Sequence, residues 1–121
     1  MAAALFDTAI LVDALVGLAP ARTAIVSTPE RSIARLSWAE VMAGARDDAD
    51  RVEEYLRQFK IVELTEDIAR RGATLRAQRP AMALGDALTL AAAQVTGRIL
   101  VTRNIRDFPA EMPGIRVPYT L

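Results

Sequence analysis

The feature that most restricts what this chain can become is a change of character after one apolar triplet. Ile99-Leu100-Val101 is short, uninterrupted and partly β-branched, which suits a strand covered on both faces. Thr102, Arg103, Asn104, Arg106 and Asp107 then crowd polar groups past its C-terminal end, before Phe108-Pro109 turns the chain. An Ala-rich helix pattern, Gly85–Ala93, comes just before and carries one carboxylate, Asp86, near its start. In open α/β sheets, ligands bind in the crevice beyond the carboxyl ends of the strands. The stretch therefore points to a fold class and to a place for chemistry together.

The rest of the chain repeats the same alternation. Ala2–Phe6, Ser32–Leu36, Ile61–Leu64 and Ile115–Val117 read as further short strands. Between them stand Ala9–Val16, Arg22–Val26 and a helix opening at Ser37, where Ser37 and Glu40 have the spacing of a capping box. From Asp47 an amphipathic helix places Val52, Tyr55, Leu56 and Phe59 on one face. Thr65 is placed to cap the next helix, with Leu64, Ile68, Gly72 and Leu75 on one stripe and Pro80 at its end. Ala87–Val95 completes the helical set. The pattern predicts a central parallel sheet flanked by helices on both faces, in one domain over residues 1–121.

Composition narrows the chemistry. Apolar residues make up 52% of the 121, enough for a packed core and too many for a disordered chain. There is no cysteine and no histidine, which removes thiolate nucleophiles, disulfides, His general bases and N/S-ligated zinc. Catalysis must then rest on carboxylates, hydroxyls, arginine or a hard cation held by oxygen. Fifteen basic and 15 acidic residues cancel, so no global field draws in a polyanion. No run approaches the roughly 18 apolar residues of a membrane span. The opening MAAALFDTAILVD lacks a basic n-region and reads as part of the fold, not as a signal peptide. These features fit a cytoplasmic protein with no membrane partner.

Four acids fall at element junctions: Asp7 after the first strand, Glu40 after the second, Asp86 at a helix start and Asp107 after the Ile99–Val101 strand. Singly, each has an ordinary structural reading: Asp7 and Asp86 as N-caps, Glu40 as the capping-box partner, Asp107 as a turn former. Jointly they have another. In a parallel α/β sheet those junctions share one edge, so the carboxylates converge and raise one another's pKa. A divalent cation relieves that crowding, and Mg²⁺ or Mn²⁺ takes oxygen ligands without His or Cys.

Leu5–Asp13 (LFDTAILVD), Leu36–Gly44 (LSWAEVMAG), Leu84–Ala93 (LGDALTLAAA) and Leu100–Pro109 (LVTRNIRDFP) together resemble the PIN-domain ribonucleases, in particular the VapC-type toxins of toxin–antitoxin pairs. Order, spacing and length all agree, over nearly the whole chain. The resemblance implies Asp7, Glu40, Asp86 and Asp107 as metal-binding and catalytic acids, with Thr8, Thr102 and Asn104 lining the site. It further implies metal-assisted hydrolysis of RNA and a cognate antitoxin; a homodimer is one assembly open to such a chain. Arg103 and Arg106 flank the site as candidate contacts to the RNA backbone. Ala9 departs from the pattern, which carries a polar residue there, often Asn; the segment between Asp7 and Glu40 is also short. Two readings compete: a catalytically silent interaction module, and a phosphoacceptor signalling domain. The latter needs a lysine near its Asp, and the single lysine, Lys60, stands before the third strand, away from the acids.

Overall fold

A computed structural model describes residues 3–121. Its elements are β1 (Ala4–Phe6), α1 (Thr8–Leu15), α2 (Ala19–Val26), β2 (Arg31–Ala34), α3 (Arg35–Ala45), α4 (Ala49–Leu56), β3 (Lys60–Val62), α5 (Glu66–Gln78), α6 (Leu84–Thr96), β4 (Ile99–Val101) and β5 (Ile115–Arg116). The strands form one parallel sheet in the order β3-β2-β1-β4-β5.

Successive strand residues point to opposite faces, and here both faces are covered. Ala4, Phe6, Ile33 and Val101 join α1, α2, α3 and α4 in one core. Leu5, Ala34, Val62 and Leu100 join α5 and α6 in the other. This is why the strands read as unbroken apolar runs and not as alternating ones. Phe6 and Phe108 are wholly buried, one in each core, and burying such a ring contributes about 1.5–3 kcal/mol.

Local chemistry sets most boundaries. Thr65 caps α5 by accepting a bond from the Ile68 N–H, and the helix stops at Gln78, two residues before Pro80. Ile68, Gly72 and Leu75 form the buried stripe of α5, but Leu64 is exposed, because β3 ends at Val62. Gly72 lets α5 approach α6: a Cβ there would meet the Leu88 Cδ2 at 2.5 Å. Gly97, with φ of 69°, closes α6 in the left-handed conformation and turns the chain straight into β4. The amphipathic helix expected from Asp47 begins at Ala49 after a 3-10 turn, and Phe59 packs in the core from beyond its end.

Among the described residues no single helix is long and apolar enough to cross a membrane. The α1–α2 pair is apolar together, but it is bent by 115° and buries Ile10, Leu11, Ala14, Ala21 and Ile25 in the core.

Candidate active site

The chain runs from β1 outward through β2 to β3, then crosses back to place β4 on the other side of β1. Strand order reverses there, which is where open α/β sheets open a crevice at their carboxyl edge. Asp7 leaves β1 into that crevice and Thr102 leaves β4 into it. The two are joined: the buried Thr102 hydroxyl donates to Asp7 Oδ2 at 2.8 Å, and Asp7 Oδ1 accepts the Thr8 N–H at 2.8 Å as the N-cap of α1. Asp7 thus caps α1, as one of its two readings required, and also lines the crevice.

Asn104 extends the chain of bonds. Its N–H donates to Thr102 Oγ1 at 3.0 Å, and its Nδ2 donates to Asp107 Oδ2 at 3.0 Å. The Phe108 N–H returns to the Asn104 carbonyl at 3.0 Å, so the buried Phe108 ring anchors the turn that carries Asp107. Asp107 orders this turn, as one of its two readings required.

The capping box at Ser37 does not form. Helix α3 starts at Arg35, directly after β2, and its N-cap Ala34 has no side-chain bond. Ser37 and Glu40 therefore lie inside the helix on its site-facing side. The Thr8 hydroxyl donates to Glu40 Oε1 at 2.8 Å and lies 2.9 Å from the buried Ser37 hydroxyl. Having one proton, Thr8 gives it to the carboxylate and accepts that of Ser37. Ser37 thus supports Thr8 from beneath the site, a role that its capping-box spacing did not show. Asp86 is no cap either: Ala83 occupies the N-cap of α6, and Asp86 sits in the first turn, where the helix dipole favours an anion.

A cavity of about 640 Å³ opens over these residues, lined among others by Asp7, Thr8, Ala9, Glu40, Asp86, Arg103 and Asn104. Asp107 stands behind Asn104 and outside the lining, yet close enough to act on Asp86. Burial, the Asp7 charge, hydrogen bonding and charge from Asp107, and the Glu40 charge push Asp86 up to about 6. Burial also raises Asp7, opposed by its bonds from Thr102 and Thr8; Glu40 raises it further and Arg103 lowers it. Asp7 and Asp86 are thus both raised, with burial the first cause and neighbouring carboxylates adding to it. Among the described residues, however, no three acids close on a common point as a ready-made cation cage. The donors are all oxygen, and three of the four acids share one cavity, so their chemistry fits Mg²⁺ or Mn²⁺.

The flanking arginines differ. Arg106 is exposed on the turn. Arg103 is committed to Asp13, with Nε 2.6 Å from Oδ2 and Nη2 3.1 Å from Oδ1, while the Tyr119 hydroxyl donates to Asp13 Oδ2 at 2.6 Å. The guanidinium holds Asp13 below the usual carboxylate range.

A family model described as PIN domain matches residues 4–110. The chain belongs to the PIN domain family. Among solved structures, this PIN domain is similar to a chain of a toxin–antitoxin complex from Klebsiella pneumoniae, at 38% identity and a TM-score of 0.92, covering 98% of this chain and 100% of that one. It shares its fold with FitAcB from Neisseria gonorrhoeae (20% identity, TM-score 0.80, 98% and 99% covered). The same holds for DNA-bound VapBC from Salmonella typhimurium (20% identity, TM-score 0.79, 96% of each chain covered). A search of curated protein sequences gives no match.

Proposed function

We propose that this PIN domain is the nuclease toxin of a toxin–antitoxin pair, an endoribonuclease that hydrolyses RNA phosphodiester bonds in the cytoplasm and is neutralised by a cognate antitoxin. The observation that carries the reading is that Asp7, Glu40 and Asp86 line one cavity at the switch point, where burial first and the neighbouring carboxylates second raise Asp86 to about 6. Its 38% identity to a chain of a toxin–antitoxin complex supports the partner.

Asp7 and Asp86 are the primary ligands for Mg²⁺ or Mn²⁺, with Glu40 and Asp107 binding a second ion or orienting the attacking water. When bound, the ion supplies Lewis-acid charge at the phosphoryl oxygens and lowers the pKa of water. The chain's own residues supply the frame. Thr102 fixes Asp7, Thr8 fixes Glu40 against Ser37, and Asn104 fixes Asp107. Hydrolysis adds a water oxygen to phosphorus and breaks the bond to the leaving ribose oxygen, which takes up a proton.

The test is cleavage of labelled RNA by the purified chain with Mg²⁺, with Mn²⁺ and with chelator, alongside Asp86→Asn. Metal-dependent cleavage that falls at least a hundredfold in the variant is expected. Metal binding without any cleavage would leave the silent interaction module as the better reading, and equal cleavage by both proteins would remove Asp86 from the site.

A further inference from the structure

Asp13 is a buried carboxylate that neither caps a helix nor lines the acidic cavity. It sits on the apolar helix α1 and receives three donors: Arg103 Nε at 2.6 Å, Arg103 Nη2 at 3.1 Å and the Tyr119 hydroxyl at 2.6 Å. Its side chain is 10% exposed, whereas that of Arg103 is 31% exposed. The pair is therefore sealed on the Asp13 side and open on the arginine side. A guanidinium has five N–H donors, and two are used here, so the remaining three lie on edges not turned to Asp13.

That open side meets the cavity. Among the described residues, Arg103 is the only cationic one in a lining that includes Asp7, Glu40 and Asp86. A phosphodiester entering such a cavity meets like charge on most sides, and one fixed fork of N–H donors offsets it. A mobile arginine would instead swing onto the nearest site carboxylate. We infer that Asp13 and Tyr119 are positioning residues that hold Arg103 as a phosphate-binding arm at the lip of the acidic cavity.

Stability alone gives a weak reason for such a pair, since ion pairs taken out of water are often no more stabilising than apolar side chains of the same volume. Tyr119 adds a locking element. Its ring packs on the core shared by α1 to α4, and its hydroxyl shares Asp13 Oδ2 with Arg103 Nε. Tyr119 also lies beyond residues 4–110, so this member of the cluster stands outside the part of the chain that matches the family model.

The inference rests on the ribonuclease reading, and the experiment separates the two. Binding of a fluorescein-labelled single-stranded oligoribonucleotide is followed by anisotropy across a salt series, in an Asp86→Asn background with Mg²⁺ present. Adding Arg103→Gln should weaken binding about tenfold and flatten the slope of log affinity against log salt by about 0.7, one phosphate contact. Asp13→Asn makes the protein more positive, so charge alone predicts tighter binding; positioning predicts weaker binding by several-fold. Tyr119→Phe, which removes one oxygen and no charge, should weaken it in the same direction. With Asp86 restored, Tyr119→Phe should raise KM with kcat retained, a split that general loosening would not give. Arg103→Lys should not rescue, because an ammonium cannot present a bidentate edge to Asp13 and a second to phosphate. Tighter binding by Asp13→Asn, or unchanged affinity and slope in Arg103→Gln, overturns the inference. Should Asp13→Asn fail to fold, Tyr119→Phe with unchanged affinity and KM does the same. No RNA cleavage by the wild-type chain with Mg²⁺ or Mn²⁺ overturns the ribonuclease reading, and this inference falls with it.

Discussion

Replacing Asp86 by Asn should stabilise the metal-free protein, and the gain should depend on pH in a defined direction. In the folded state Asp86 is raised from 3.8 to about 6. The native state therefore binds this proton more tightly than the unfolded chain. The contribution to stability is complete below the unfolded pKa, is lost as pH rises from about 4 to about 6, and stays lost above that. Two pKa units at about 1.36 kcal/mol each would be roughly 3 kcal/mol for a sealed group, and because Asp86 is only partly buried, solvent screening cuts the loss to about 1–2 kcal/mol at neutral pH. Asn at 86 does not ionise and escapes the loss. It forgoes the favourable interaction of an anion with the first turn of α6, worth about 0.3–1 kcal/mol. The expected net gain is about 1 kcal/mol at about pH 7, or roughly 4 °C in Tm for a domain of this size, shrinking to nothing or below near pH 4. Thermal melts of both proteins in chelator at the two pH values measure it. A variant that melts below wild type at neutral pH, or a difference that survives acidification, would refute the argument that burial and neighbouring carboxylates raise Asp86.

Asp7→Ala should act in the opposite sense, since Asp7 caps α1 and satisfies the buried Thr102 hydroxyl; a loss of about 2–3 kcal/mol in chemical denaturation is expected. Mg²⁺ or Mn²⁺ should raise the wild-type melting temperature by mass action, by about 2.7 kcal/mol of stability at a hundredfold excess over Kd. The same titration of Asp86→Asn by calorimetry and thermal melt should show little heat and little shift.

The fold was legible because its physics is local. Apolar triplets with both faces covered, caps such as Thr65 and stops such as Pro80 each act within a few residues. The convergence of the acids was legible one step further on, since strand–helix alternation alone puts strand ends on one edge. What failed were features decided by tertiary placement. Ser37 and Glu40 have capping-box spacing, but β2 hands over to α3 at Ala34, so the same two residues face Thr8 instead. The Asp13–Arg103–Tyr119 cluster joins residues 90 and 106 positions apart, which no local pattern encodes. One signal was available: a lone acid within the apolar run Thr8–Leu15 requires a partner once that helix is buried.

The hydrogen bond between Thr102 and Asp7 has a consequence for the order in which the molecule comes into being. It spans 95 residues, and β1, the middle strand of the sheet, has only β2 beside it until β4 arrives to cover its other edge. A growing chain that has released Asp7, Glu40 and even Asp86 still lacks the strand that fixes the first of them and the turn that carries Asp107. At about 5–20 residues per second, the interval between the first acid and the last is on the order of 5–20 s. The acidic edge is thus assembled only once β4 and the turn after it have emerged, and a chain made as far as α6 holds its charges apart.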